Sequence, residues 1–396
     1  MKSETMTTTV GMPRRTFLRN SLMVTLPMMA GTSLLGFAGK AAAATQPAYV
    51  PPTRQRGTTL LNAQAFGAVG DGVHDDTSAI QAAINALPST GGTVFIPAGT
   101  YLVDAVRSVQ LRSLMHLQMD PAAKLVAKTT SSDSYNVLLA DVLHDVEISG
   151  GQIVGERDSH IGTIGEGGHG IRIRGCQRVT IRDIICSKGW GDGITVGPRP
   201  NFGKTFTYSA DVVLANVVCT GNRRNGLSIG NVNGMKVYDS EFSNTNGTKP
   251  QCGIDVEPSP DIDGSGRCDD VHIENCNLAG NAAYGINIWK NTYNIVLTKC
   301  MIQNNKTCGL VTRGLNGATF SDNTICNNMS TGMFIQIDSK NVVISGNTSF
   351  RNYLKQTVVP RTGFYLTGTA TKIKKDLIVG TGTSNIQVGN NFYATQ

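Results

Sequence analysis

A glycine that opens a short β-prone stretch recurs along this chain and sets what it can fold into. It appears as GIRI at 170, GITV at 193, GLSI at 226, GIDV at 253, GINI at 285, GLVT at 309 and GMFI at 332. The steps between these are 23, 33, 27, 32, 24 and 23 residues. Each interval holds a second alternating stretch: RVTIRDI, DVVLANV, MKVYDSEF, DVHIENC, NIVLTKC and NVVISGN. Residues two apart share one side of a strand, so each stretch offers one apolar face. Short strands, Gly and Asn turns and a basic period near 23 residues describe a parallel β-solenoid with one coil per period. Neighbouring coils then stack at strand spacing, roughly 4.8 Å.

Counting back from each glycine checks this register. Asn222, Asn281, Asn305 and Asn328 lie four residues before their glycines, as a ladder of stacked side-chain amides requires. Cys186 and Cys219 lie seven before theirs, and Cys276 and Cys300 nine before. Such columns predict buried thiols, although stacked coils also bring Cα atoms within disulfide reach. There is no CxxC pair among the nine cysteines, and their spacing follows the coil.

The segment before the coils has a different pattern. In NAQAFGAVGDGVHDDTSAIQAAINAL, Asp76 is the expected N-cap of a helix from Thr77 to about Ala86. Its apolar face carries Ile80, Ala83, Ile84 and Leu87, suited to cover the open end of a solenoid. This stretch, with GGTVFIPAGTYLV after it, resembles the pectate-lyase superfamily. The resemblance covers most of residues 60–350. It implies an all-β, single-stranded right-handed parallel β-helix with a short N-terminal capping α-helix. Its members include lyases, uronate epimerases, polygalacturonase-like hydrolases and phage tailspikes, so it speaks to fold more than to chemistry.

The domain reading follows: a β-helix domain over 45–396, with an N-terminal cap at about 58–105, coils at about 106–350 and a C-terminal cap at about 351–396. Residues 1–44 read as a twin-arginine signal peptide. RRTFLR carries the pair Arg14 and Arg15, an apolar run spans Leu22 to Phe37, and cleavage is expected near Ala44. The run is short and rich in Gly and Thr, so no stable membrane anchor is expected. Export to the periplasm or beyond follows from this reading. Lys2, Arg14, Arg15, Arg19 and Lys40 against Glu4 give this segment +4 of the chain's +7. The remaining +3 argues against nucleic acid as a partner and is compatible with an acidic polymer. Nothing in the pattern sets an oligomeric state.

Two columns follow from the register. Two residues after each glycine stand Arg172, Thr195, Ser228, Asp255, Asn287, Val311 and Phe334; four after stand Arg174, Gly197, Gly230, Glu257, Trp289, Arg313 and Gln336. Asp255 and Glu257 are thus expected side by side on one exposed face, about 7 Å apart at Cα. Small residues flank them on one side; on the other, Trp289 offers a sugar platform and Lys290 a cation. Just before the glycines come His169, Asp192 and Asn225, with Arg223 and Arg224 in NRRNG. The three long intervals carry the insertions PRPNFGKTFTYS, NTNGTKPQ and PSPDIDGSGRCD, all flanking the GLSI and GIDV strands. Inserted loops around an exposed strand face are where solenoid clefts form.

Asp255, Glu257, Arg224 and Asp192 are therefore the candidate catalytic residues. Arg223, His169, Asn225, Trp289, Lys290 and Arg172 are the candidate substrate-binding ones. Three functions remain open. A polysaccharide lyase or uronate epimerase would abstract the proton α to a uronate carboxylate. Asp255 and Glu257 would then bind Ca²⁺ through oxygen. Arg223 or Arg224 would neutralise the uronate or act as the arginine base of pectate lyases. Mannuronan epimerases carry YxGFDPH where this chain has CGIDVEP: the aspartate matches Asp255, while the tyrosine is not kept and Glu257 stands in place of the histidine. An inverting hydrolase would use Asp255 and Glu257 as acid and base, with Asp192 as a third carboxylate, and needs roughly 6.5–9.5 Å between the pair. The polygalacturonase NTD motif and adjacent Asp pair are absent from these coils. The third reading is a noncatalytic glycan-binding solenoid.

Overall fold

The computed structural model describes residues 49–352 except 202, and 377–393 except 381. These belong to one compact unit, residues 48–396. The twin-arginine segment and its cleavage point lie outside the described residues.

The strands stack in parallel from coil to coil, as the repeat requires. A ten-stranded sheet carries the glycine-anchored strands, among them Gly167–Arg174, Ile194–Gly197, Leu227–Ile229, Ile254–Val256, Ile286–Ile288 and Leu310–Arg313. Its register reproduces the expected column, with Arg172 beside Thr195, then Ser228, Asp255, Asn287, Val311 and Phe334. A larger sheet of 22 strands takes the second alternating stretches. The two enclose one continuous apolar core running from Ala63 to Leu377.

The corners explain the Asn and Asp content. At each bend one residue enters the left-handed region, for example Asp183 (φ 55°), Asn216 (φ 53°) and Asn275 (φ 54°). Asn and Asp tolerate that region better than other non-glycine residues. Inside, Asn305 donates from Nδ2 to Asn328 Oδ1 at 2.9 Å and accepts from Asn281 Nδ2 at 2.9 Å. The ladder continues to Asn352. It does not run unbroken to Asn222: in the coil between, Thr245 donates from N and Oγ1 to Asn281 Oδ1. A second ladder, Asn323–Asn347–Asn391, lies just before the short strands Thr324–Cys326, Thr348–Phe350 and Phe392–Tyr393, where no anchoring glycine marks the register.

All nine cysteines are buried free thiols, with Cys186 beside Cys219 and the Cys276 N–H donating to Cys300 Sγ at 3.5 Å.

Three boundary details differ from the sequence reading. Asp76 precedes the helix Thr77–Asn85 but does not cap it. Its carboxylate accepts the N–H groups of Val69 and Gly70 and so ties down the preceding turn. Coil strands begin earlier than 106, since Thr59–Asn62 already pairs with Gly92–Ile96. They also extend past 350: Leu377–Val379 and Ser384–Val388 pair in parallel with Met333–Gln336 and Lys340–Ser345. No anchoring glycine opens either strand; Leu377 packs in the core and Ile386 against it. Among the described residues no helix is long and apolar enough to cross a membrane.

Candidate functional site

The inserted loops raise a cleft over the GITV, GLSI and GIDV strands. Arg199–Asn201 and Lys204–Thr207 form an antiparallel hairpin. The Asp261 carboxylate, from the loop after GIDVEP, accepts the Phe206 N–H at 2.9 and 3.1 Å and binds the two loops together. Beneath them lies a cleft of about 330 Å³, lined by Arg172, Arg174, Arg224, Asp255 and Glu257 among others. Gly197 and Gly230 lie along it and leave the floor open.

Asp255 lies in the expected column but is not exposed; 1% of its surface reaches solvent. Asn287, one coil on, donates from Nδ2 to Asp255 Oδ1 at 2.8 Å. Burial pushes the Asp255 carboxyl up from about 3.8 to about 7. The Asn287 hydrogen bond and the Arg224 charge oppose this, and the charges of Glu257 and Asp192 add to it. Glu257 is the open member of the pair, with 51% of its side chain exposed.

Arg224 holds the centre. Nη1 donates to both Asp192 oxygens at 3.2 and 3.3 Å and to Ser228 Oγ at 3.2 Å. Nη2 lies 3.9 Å from Glu257, and Nε lies 3.3 Å from Glu166. Burial works against its charge, but Asp192, Asp255 and Glu166 outweigh burial and raise its pKa. Its surroundings thus favour the charged guanidinium.

Asp192 is not positioned to meet substrate. Its two oxygens already accept the Asn225 N–H, the Thr195 and Ser228 hydroxyls and Arg224. It orients Arg224 instead. His169 is buried; its Nδ1 accepts the Asp192 N–H at 3.2 Å, and burial lowers its pKa to about 4, so the ring is neutral. Asn225 is wholly buried and links Ser228 Oγ to the Cys252 N–H. Arg223 points elsewhere: its guanidinium lies over Trp190 at 3.7 Å and donates to the carbonyls of Gly165 and Thr163. Backbone carbonyls and an indole face fix it there, away from substrate. Trp289 follows Glu257 in its column, but Arg313 lies over its ring at 4.5 Å. Trp289 and the exposed Lys290 are not among the residues lining the cleft. Arg172 does line it.

The hydroxyls of Thr195 and Ser228 and the amide of Asn287 stand in the expected column, but nothing in the repeat marks them as partners of Asp192 and Asp255. Glu166 had no periodic signal; its place beside Arg224 depends on a loop. The donor set does not fit calcium. That ion takes six to eight oxygens. Here Asp255 is buried with one oxygen held by Asn287, Asp192 is saturated, and a guanidinium stands 3.9 Å from Glu257. Among the described residues no group of three or more His, Cys, Asp or Glu is arranged to hold a metal.

Coiled parallel sheets with a charged cleft raised by inserted loops define the class: a parallel β-helix with a site on one sheet face. Residues 60–144 match the family model described as rhamnogalacturonase A/epimerase, pectate lyase-like, and residues 262–395 match the right handed beta helix region. Both matches, and the fold, agree with the pectate-lyase-like superfamily of right-handed β-helix proteins. It is 30% identical over 349 residues to the uncharacterized protein YclG of Bacillus subtilis, spanning 74% of this chain and 59% of that one. It is 26% identical over 306 residues to the mannuronan C5-epimerase AlgE1 of Azotobacter vinelandii, spanning 77% of this chain and 16% of that one. The A-module of AlgE4 from the same organism shares the fold, with a TM-score of 0.58 at 19% identity over 85% of this chain and 98% of the module. The chain thus spans less than two thirds of YclG and of AlgE1.

Proposed function

We propose that this protein is a carbohydrate-active enzyme that abstracts the proton α to a uronate carboxylate in an acidic polysaccharide, as a lyase or an epimerase. The carrying observation is a buried carboxyl, Asp255, held near pKa 7 in a cleft it shares with the permanently charged Arg224. A base is most effective when its pKa lies near the working pH. Arg224 sits where a uronate carboxylate would gain negative charge as the proton leaves, and preorganised cations act most strongly there. Asp192, Thr195 and Ser228 hold that guanidinium in place. In β-elimination the electron pair released at the α carbon forms the new double bond. The carbon–oxygen bond β to the carboxylate breaks, and the leaving oxygen takes a proton. In epimerisation the proton returns to the opposite face. The likeness to proteins named mannuronan C5-epimerases supports this class. The twin-arginine pattern supports export of the folded chain to a compartment where such polymers are found.

A second reading rests on the same pair: a protonated Asp255 as acid and the solvent-facing Glu257 as base of an inverting hydrolase. Turnover on a panel of acidic and neutral polysaccharides separates the two. The panel follows unsaturated-end absorbance, reducing ends and deuterium uptake at the α carbon, with and without a chelator. Absorbance with reducing ends identifies a lyase, and deuterium uptake alone an epimerase. Reducing ends alone identify a hydrolase and overturn the proposal. Binding with no product leaves a glycan-binding solenoid. The donor set argues that a chelator leaves the rate unchanged.

A further inference from the structure

The cleft is electrically lopsided. Its acidic end gathers Asp255, Glu257 and Asp192 around Arg224. At the other end two guanidinium groups share one carboxylate: Arg174 makes a bidentate pair with Asp141 at 2.9 and 2.7 Å, and Arg199 reaches the same Asp141 at 3.4 Å. Arg172 is left without a hydrogen bond or ion pair among the described residues, although it is half-buried and lines the cleft. Burial and the neighbouring Arg174 work against its charge, and the more distant Asp141 and Asp192 carboxylates do not make up for them. A half-buried cation with no hydrogen-bond partner calls for an anion.

The register places that demand. Arg172 pairs with Thr195, and Thr195 with Ser228, so Arg172 stands two coils from Ser228. The Arg224 guanidinium is bonded to Ser228 Oγ. Two strand spacings separate these levels, about 10 Å. An extended pyranoside chain advances by close to one strand spacing per sugar. In a two-fold ribbon, alternate sugars turn the same edge to the same side.

We propose that Arg172 is a second carboxylate site, which binds the uronate two sugars away from the one held by Arg224. The substrate is then an extended polyuronate lying along the solenoid axis, with its reacting sugar at the acidic end. This rests on the reading of the cleft as a uronate-processing site. It adds that affinity depends on chain length and on a charge two residues from the reacting one.

The test compares Arg172→Gln with the unsubstituted protein on purified oligouronates of increasing length and on a long polyuronate. KM and kcat are measured for each, and thermal unfolding checks that the variant folds. The variant is expected to raise KM about tenfold on long chains, the loss of one charge-assisted contact. kcat should stay within about twofold, and oligomers too short to span two coils should show no change. Equal KM values for both proteins at every length overturn the Arg172 site while leaving the uronate reading intact. A uniform collapse of kcat at all lengths also overturns it, since Arg172 would then serve the reacting sugar. If the unsubstituted protein neither binds nor turns over any polyuronate, both readings fall together.

Discussion

Replacing Asp255 by Asn should make this protein more stable at alkaline pH, and the effect can be sized from the structure. Asp255 is 1% exposed, and its carboxyl titrates near 7 rather than near 3.8. The folded state therefore binds that proton more tightly than the unfolded chain does. The benefit is complete below about pH 4, declines as pH rises, and is gone above about pH 7. At about 1.4 kcal/mol per decade, the gap amounts to about 4 kcal/mol carried as a penalty at pH 8. Asn keeps the shape and can still accept from Asn287 Nδ2 but never ionises. Urea unfolding of both proteins should agree at about pH 4, differ by about half the full amount near pH 5.5, and differ by up to about 4 kcal/mol at pH 8. The variant should lose turnover throughout. A stability difference independent of pH, or a variant less stable at pH 8, would show that the Asp255 carboxyl is not held neutral by burial.

Other consequences are as direct. Arg224→Gln should lower kcat by about 10²–10³, as loss of one preorganised transition-state donor does. It should also destabilise the fold by about 3 kcal/mol through the stranded Asp192, and both are read by kinetics and denaturation. Asn305→Ala breaks both amide links of its rung and should cost about 2–3 kcal/mol with KM unchanged, since the ladder lies within the coil wall. The nine buried thiols should resist a chromogenic disulfide reagent in the native protein and all react on unfolding; prompt reaction of any one would contradict its burial.

Much of the architecture was legible because solenoid rules are local. Side chains alternate with period two and coils stack at one spacing, so counting from each glycine placed Arg172, Thr195, Ser228, Asp255 and Asn287 in one column before any coordinates were needed. The longer intervals likewise marked where loops would rise. Sequence alone thus determined the parallel coils, their register, one ladder of stacked amides from Asn281 to Asn328 and the strand that carries Asp255.

Only the tertiary structure decided what those residues are. It buried Asp255, saturated Asp192, laid Arg223 on Trp190, kept Arg224 charged and left Arg172 without a hydrogen bond among the described residues. These outcomes depend on where the insertions come to rest. Contacts such as Asp261 to Phe206 and Arg223 to Gly165 join residues 55 and 58 positions apart in the chain. Burial and pairing set a group's charge and reach, and no repeat carries that information, because it arises from side chains meeting across separate loops.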